Sequence, residues 1–233
     1  MGFGVWGLNY DKSPVLTLIT GAVAGFVHVL SGPDHLAAVA PMAVAGRERG
    51  WLSGWTWGFG HASGVVLVAV LAVLLRDLLP PIDVISTWSE RIVGAALIAV
   101  GLWAFRRSTQ MRPATHVHGA VAHRHIHVQA GPAWLRRLGH AHASFCLGVL
   151  HGIAGSSHFF GVLPALALPS LTASLVYIAA FGAGTVAAMT AFAAAVGTAT
   201  VRLPNGALPQ RAMMVAAATL AIAVGTVWLA GSA

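Results

Sequence analysis

The chain has 233 residues, of which 57% are hydrophobic and only 8% are charged. A soluble domain carries about 25% charged residues, so the composition excludes a water-soluble globular protein and predicts an all-α integral membrane protein. The net charge of +7 does not indicate a nucleic-acid partner, because the basic residues flank apolar segments and form no continuous patch.

Six apolar segments predict six transmembrane helices, because a helix needs about 20 apolar residues to cross a bilayer. Between the third and the fourth lies a polar segment, rich in Arg and His and without acidic residues, which we expect to be a flexible loop. The chain therefore divides into three spans at 1–105, the loop at 106–142 and three further spans at 143–233. The six apolar segments are 14–45, 51–79, 88–105, 143–168, 172–200 and 211–231.

The distribution of Lys and Arg predicts how these spans are oriented. Ten of the 13 basic residues lie in the loops on one side of the spans, and three lie on the other side. The positive-inside rule places the richer loops, including the His-rich loop, in the cytoplasm and both termini outside the inner (cytoplasmic) membrane. Residues 1–14 show no basic region followed by an apolar core, so no cleaved signal peptide is expected.

An internal repeat relates the two halves of the chain. The stretch GFVHVLSGPDHLAAVAP at 25–41 aligns without a gap with GVLHGIAGSSHFFGVLP at 148–164, at an offset of 123, and GFGH at 58–61 aligns with GAGT at 182–185, at an offset of 124. Each repeat holds three spans, so the second copy enters the membrane from the opposite side. This predicts two inverted three-helix repeats, an architecture common among secondary transporters. The aligned pairs are Gly25 with Gly148, His28 with His151, Gly32 with Gly155, His35 with His158, and Pro41 with Pro164.

The first helix of each repeat is predicted to be broken. Pro33 lacks an N–H and pushes Gly32 toward extended conformations, and Gly155 occupies the position equivalent to Gly32. The two histidines of each repeat are seven residues apart and would stand about 10.5 Å apart along an unbroken helix. One ion could not bridge them with bonds of about 2.0–2.1 Å. Local unwinding would bring them together near the membrane midplane.

Ionisable side chains inside apolar spans are functional candidates, because each costs roughly 2.5–3.5 kcal/mol to insert into a membrane. Asp34 is the one acidic residue in the interior of a span, since the other acidic residues lie near span ends or outside the spans. It is expected to be a metal ligand, to cap the helix after Pro33, or to do both. His61 is either a ligand or part of the packed Gly-rich face of its helix. The predicted metal ligands are His28, Asp34, His35, His61, His151 and His158.

Imidazole nitrogens with one carboxylate suit nickel, cobalt, zinc, copper or iron better than magnesium or calcium, which prefer oxygen ligands. The loop between the third and fourth spans adds a second set of histidines in HVHGAVAHRHIH. This tract is either a neutral linker or a metal-binding segment that senses, buffers or delivers metal. Its candidate ligands are His116, His118, His123, His125 and His127.

The string HVLSGPDH at 28–35 resembles the signature of the nickel/cobalt permeases, in which a histidine is followed by an Asp-His pair in an early span. It is most similar to the UreH-type branch, which is associated with urease accessory functions, and the three-plus-three plan is similar to that of LysE and CcdA-like transporters. The chain departs from the usual motif by having five rather than four residues before the Asp-His pair, and six rather than eight spans. The resemblance implies a transition-metal permease with His28, Asp34 and His35 in its pathway.

The leading hypothesis is a secondary transporter that moves nickel or cobalt by alternating access around a midplane His/Asp site. The alternative is a membrane metal-binding accessory or sensor protein for urease or hydrogenase maturation that does not transport. The bound metal would be cargo, and no permanently bound cofactor is expected. The expected partners are the ion and the lipid bilayer, with a second copy of the chain or a metallochaperone as further candidates.

Enzyme classes are not favoured. A di-iron hydroxylase or a zinc protease would need HExxH or several histidine boxes with more carboxylates. A disulfide relay would need paired cysteines, and Cys146 is the single cysteine of the chain. The sequence also has no GxxxxGK[ST] motif, so the chain is expected neither to be an enzyme nor to use ATP by itself.

Overall fold

The computed structural model describes residues 14–74, 82–118, 121–128, 133–154, 157–203 and 207–231. In these ranges the chain forms eight α-helices, one short 3-10 turn and one β-hairpin. In chain order they are α1 (Pro14–Ser31), α2 (Pro33–Gly46), the 3-10 turn (Arg47–Arg49), α3 (Gly50–Leu74), α4 (Ile82–Thr109), β1 (Met111–His118), β2 (Val121–Val128), α5 (Ala133–Ala154), α6 (Ser157–Leu166), α7 (Leu171–Arg202) and α8 (Ala207–Gly231).

Several of these helices are of membrane type. Five helical stretches in the described residues are long and apolar enough to cross a bilayer, and a shorter apolar helix accompanies them at His142–Ala154. This confirms the predicted helical, membrane-type class. α2 and α3 form one of the five stretches, because only the 3-10 turn separates them. The five stretches are Pro14–Ser31, Pro33–Leu71, Glu90–Thr109, Leu171–Arg202 and Leu208–Gly231.

The first apolar segment changes direction at a single residue. α1 ends at Ser31, α2 begins at Pro33, and Gly32 between them is extended, with φ −92° and ψ 101°. Proline disfavours helical geometry in the residue before it, which accounts for the break. The N–H of Gly32 donates to the carbonyl of His28 at 3.1 Å, so the two helices follow each other without a loop. The equivalent residue of the second half, Gly155, lies outside the described residues.

α1 and α2 run together along one side of α7. In the middle of α1, Gly21 lies against the carbonyl of Tyr177, and directly after α2 the carbonyl of Arg47 lies against Gly197. Tyr177 and Gly197 are 20 positions apart, which corresponds to about 30 Å of helix, the thickness of a hydrocarbon core. α1 and α2 together therefore cover the distance of one membrane crossing.

Glycines bring the helix backbones into direct contact. On α1, Gly25 lies against the carbonyl of Phe181 in α7, and on α5, Gly148 lies against the carbonyl of Trp57 in α3. Small residues are enriched where membrane helices meet, because they let the backbones approach closely. The same holds between α4 and α8, where Gly94 faces the carbonyl of Gly225.

The centre of the bundle is occupied by α2. Its residues from Asp34 to Val44 are almost all buried, and the helix packs against α3, α4, α7 and α8. A helix that is covered on all sides carries its polar residues into the interior of the bundle. The first turn of α2, with Asp34 and His35, is therefore enclosed by its neighbours.

A β-hairpin occupies much of the segment 106–142, for which the sequence predicts a flexible loop. β1 and β2 are antiparallel, and His116 is paired with His123. Val117 and Ile126, each between two histidines, are β-branched, a residue type that is favoured in strands. The His-rich segment thus has a regular backbone.

Replacing Gly25 or Gly148 by alanine should destabilise the protein. A Cβ at either position would collide with a carbonyl of the neighbouring helix, and these carbonyls cannot move without displacing α7 or α3. Overpacking of this kind costs about 1–3 kcal/mol or more. The unfolding temperature in detergent, followed by intrinsic fluorescence, should fall in both variants.

The matched control for these variants is Gly46→Ala. A Cβ at Gly46 would meet only the hydroxyl of Ser53 at 3.8 Å, an ordinary contact. This variant should unfold at the wild-type temperature. A wild-type unfolding temperature for Gly25→Ala and Gly148→Ala would contradict the close packing.

Candidate metal centre

The first turn of α2 carries a buried carboxylate. Asp34 is 2% exposed; its Oδ1 lies 3.0 Å from Nδ1 of His35, and its Oδ2 lies 2.9 Å from Nε2 of His151 on α5. An ionised carboxylate only accepts hydrogen bonds, so both imidazoles donate an N–H to it. Asp34 therefore ties α2 to α5.

Asp34 does not cap the N-terminus of α2, which was one of the roles expected for it. The N-cap residue of α2 is Gly32, and no side chain caps this helix. The two carboxylate oxygens face the imidazoles of His35 and His151 instead. The side chain is thus directed toward the histidines and away from the helix end.

Four histidines gather in the interior, with His35 at their centre. Its ring centroid lies 4.6 Å from that of His28 on α1, 4.9 Å from that of His61 on α3 and 4.8 Å from that of His151 on α5. His35 and His61 are fully buried, and His151 is nearly so. The break at Gly32 makes this possible, since it separates the directions of α1 and α2.

The ligand atoms of these side chains form two groups of three. One group is His28, His35 and His61, and the other is Asp34, His35 and His151; within each group the ligand atoms lie within 4.8 Å of one another. Bonds from a divalent ion to nitrogen or oxygen are about 2.0–2.2 Å, so small side-chain rotations would close either group around an ion. Imidazole with carboxylate suits the borderline divalent metals.

Five of the six predicted ligands therefore meet in the structure. The sixth, His158, is the second residue of α6, and its side chain lies outside the described part of the structure. The ring of His61 lies within the histidine cluster, and its backbone lies in the packed interface with α5, against Gly152. Both roles considered for His61 are compatible with this position.

The five hairpin histidines occupy one face of the hairpin. His116 and His118 are two residues apart in β1, and His123, His125 and His127 follow the same spacing in β2. Alternate strand residues share a face, and the pairing of His116 with His123 places the two sets on the same face. Their side chains lie outside the described part of the structure, so metal binding here stays a prediction.

Two aromatic rings that were not among the predicted site residues flank the cluster. Trp57 stacks on His61 with ring centroids 5.0 Å apart, and also lies 5.1 Å from His151. Phe181 lies 5.4 Å from His28. Trp57 and Phe181 are 124 positions apart, the offset that already aligns GFGH with GAGT. That offset is the signal that would have identified both residues.

Two adjoining cavities, here called the crevice, lie beside the cluster between α2, α4 and α5. A narrow cavity beside His151 shares Val100 and Leu147 with a wider cavity of about 440 Å³. Met42 and Trp103 line the wider cavity, and they lie within the last two turns of α2 and α4. Because α4 continues into β1, the crevice opens toward the end of the bundle that carries the hairpin.

Comparison with known proteins finds similarity to three curated sequences. The chain is 37% identical over 183 residues to "Chloroplast protein FOR GROWTH AND FERTILITY 1" of Arabidopsis thaliana, covering 77% of the chain and 49% of that protein. It is 36% identical over 203 residues to "Chloroplast protein FOR GROWTH AND FERTILITY 2" of the same plant, covering 84% of the chain and 51% of that protein. The chain thus spans about half the length of these two relatives.

The third relative is the "Urease accessory protein UreH" of Bacillus sp. (strain TB-90). The chain is 28% identical to it over 194 residues, which cover 80% of the chain and 79% of UreH. No protein-family model matches the chain, and no solved structure matches it. The similarity to UreH supports the relationship that the HVLSGPDH string suggests.

Nickel or cobalt ions should stabilise the purified protein if the cluster binds them. A ligand present at 100 times its Kd that binds only the folded state stabilises it by about 2.7 kcal/mol. NiCl₂ should therefore raise the unfolding temperature of the wild-type chain in scanning fluorimetry. His35→Ala should abolish the increase, because His35 belongs to both groups of ligand atoms.

The control for this measurement is His142→Ala, which removes an exposed histidine of α5. It should keep the full response to NiCl₂, and MgCl₂ should stabilise none of the variants. An equal response to NiCl₂ in His35→Ala and wild type would show that the ion binds elsewhere.

Proposed function

We propose that the chain is a secondary transporter for a divalent transition-metal ion, with nickel or cobalt as its cargo. The observation that carries this proposal is the convergence of one carboxylate and four imidazoles inside a bundle of apolar helices. Ionisable side chains are costly inside a membrane, and they mark ion pathways where they gather. Zinc, copper or iron would fit the same ligands, because selectivity among these metals depends on geometry.

Two inverted three-helix repeats account for how the helices pack. The contact of Gly25 with Phe181 corresponds to the contact of Gly148 with Trp57. Gly25 and Gly148 are related by the offset of 123, and Trp57 and Phe181 by the offset of 124. In each contact the first helix of one half meets the second helix of the other half.

A second pair of contacts repeats this exchange. Gly60 lies against the carbonyl of Phe145, and Gly184 lies against the carbonyl of Ala22. Gly60 and Gly184 differ by 124 positions, and Ala22 and Phe145 by 123. A two-fold axis in the membrane plane, as in inverted-repeat transporters, would produce such exchanged contacts.

The proposed membrane topology has six spans. α1 with α2 and α5 with α6 are each one broken span, and α3, α4, α7 and α8 are the other four. The course of α1 and α2 along about 30 Å of α7 supports the first of these assignments. By the distribution of Lys and Arg, the hairpin faces the cytoplasm and both termini lie outside the inner membrane.

Alternating access would expose the cluster to each side in turn as one repeat moves against the other. The crevice between α2, α4 and α5 is the proposed route between the cluster and the hairpin side. The thioether of Met42 accepts a hydrogen bond from the hydroxyl of Ser144 at 3.1 Å, which places two polar atoms beside the wider cavity. No bond of the cargo is made or broken beyond coordination, so we propose no enzymatic activity.

A second candidate function is a membrane metal-binding accessory that does not transport. It is favoured by the similarity to a protein whose name is urease accessory protein. Such a protein would bind the same ions through the same cluster, and the hairpin histidines would exchange metal with a metallochaperone or with a second copy of the chain. Flux separates the two candidates, because only the transporter moves the ion.

Purified protein in liposomes should carry radiolabelled nickel or cobalt across the membrane. His28→Ala and His61→Ala each remove one ligand, and each should lower the initial flux by at least about tenfold. His142→Ala removes an exposed histidine and should leave the flux unchanged. The measurement is the initial rate of ion accumulation in proteoliposomes, corrected for protein content.

Absence of flux with wild-type protein that still binds nickel would favour the accessory function. Wild-type flux in both His28→Ala and His61→Ala would remove the cluster from the pathway. The ring of His28 is half-buried and that of His61 is buried. The same loss of flux in both variants could therefore not be attributed to the removal of a fully buried side chain.

The crevice should be accessible to water from the hairpin side. In a Cys146→Ser background, Ala99→Cys places a thiol in the wider cavity, and a membrane-impermeant methanethiosulfonate should label it. Val66→Cys is the matched control, since Val66 is also exposed but lies in the apolar groove between α3 and α7, where lipid would cover it. Equal labelling of the two cysteines, or none at Ala99→Cys, would contradict the proposed route.

A further inference from the structure

We propose that the cluster contains two alternative ion positions that share His35, an inference that rests on the proposed function as a metal transporter. One position is formed by His28, His35 and His61, and the other by Asp34, His35 and His151. An ion would change position by exchanging the partners of His35. This differs from the single midplane His/Asp site that the sequence predicts.

The separation of the ligand atoms supports two positions. Around one tetrahedral ion with bonds of about 2.0–2.1 Å, ligand atoms lie roughly 3–3.5 Å apart. Oδ1 of Asp34 and Nδ1 of His35 already have such a separation, 3.0 Å, as do Oδ2 of Asp34 and Nε2 of His151, 2.9 Å. His28 and His61 approach His35 from other directions, with their ring centroids 6.1 Å from each other.

His35 has one nitrogen for each position. Its Nδ1 is directed at Asp34, and Nε2 lies on the far side of a flat ring. An N–H donated to a carboxylate fixes the orientation of a metal-binding imidazole, and this is the usual arrangement behind such a ligand. With the ion among His28, His35 and His61, Asp34 would orient His35 and hold His151 without touching the ion.

The move to the second position conserves charge within the protein. There, the ion replaces the two protons that lie between Asp34 and the nitrogens of His35 and His151. Both rings then carry their N–H on the other nitrogen, so both imidazoles stay neutral and the site holds the same number of protons as before. The ion loses its bonds to His28 and His61 and gains bonds to Asp34 and His151.

The two positions differ in which helices build them. His28, His35 and His61 belong to α1, α2 and α3, all in the first half of the chain. The second position joins α2 to α5 and therefore to the second half. A shift of α5 relative to α2 would open or close the position that contains Asp34, whereas the three-histidine position contains no residue of α5.

The two positions also differ in charge. Three neutral imidazoles leave both positive charges of the ion uncompensated, whereas the Asp34 carboxylate offsets one of them. In a medium of low dielectric constant this difference is large. The ion would therefore be held more firmly where the two halves meet and less firmly where it is bound by the first half alone.

Cobalt(II) bound to the purified full-length chain tests this, since its visible spectrum and X-ray absorption report the ligand set. His151→Gln and Asp34→Asn should both leave one Co²⁺ bound by three imidazoles without carboxylate. His61→Gln should leave one Co²⁺ bound by two imidazoles and a carboxylate. His35→Ala should weaken binding by at least about a hundredfold, because it removes a ligand from both positions.

A control variant and two possible results test whether the two positions are distinct. His142→Ala should give the wild-type spectrum, and size-exclusion profiles establish that each variant is folded. Identical residual coordination in His61→Gln and His151→Gln would overturn the proposal in favour of one shared site. Two Co²⁺ ions bound per wild-type chain would overturn it as well, because the positions would then be filled together.

This experiment separates the inference from the proposed function. The spectra are recorded on protein in detergent and need no flux. Two distinct ligand sets in a protein that moves no metal would remove the transport function and leave the two positions standing. Transport by a protein that shows a single ligand set would support the transport function and overturn the two positions.

Discussion

A buried carboxylate is the constraint on which the centre of this protein depends. An ionised group among apolar helices is strongly unfavourable unless hydrogen bonds and opposite dipoles surround it. Asp34 receives them from His35, its neighbour in the chain, and from His151, which is 117 positions away. Removing one partner of such a buried pair costs about 3–5 kcal/mol. The group that would face an ion therefore also holds the two halves of the chain together.

The distances between the histidines depend on how closely the helix backbones approach. The rings of His61 and His151 are 5.5 Å apart because α3 and α5 touch through Gly148 and Gly152. Between membrane helices there is little hydrophobic driving force, and close backbone packing is a main source of their association. The glycines thus act on the site from a distance, by setting where the imidazoles stand.

The helix break and the side chains that meet at the cluster could be predicted because their causes are local or repeated. Pro33 disfavours helical geometry at Gly32, the residue directly before it, and the repeat marks His28 and His151 as equivalents. The grouping of the ligands could not be predicted, because it depends on how the two halves pack. The position of Trp57 beside the cluster is not evident from its residue type, since aromatic residues are common in membrane helices. Only the repeat, which aligns Trp57 with Phe181, distinguishes it.

The shared face of the hairpin histidines depends on the number of residues between them and not on the identity of any single residue. They share a face because they occur at every second position and because His116 is opposite His123. Deleting one residue between His123 and His125 would turn the rest of β2 over and send its histidines to the other face. Replacing one histidine would leave the other four in place. Unlike an ordinary surface loop, this segment would therefore tolerate substitutions better than insertions or deletions.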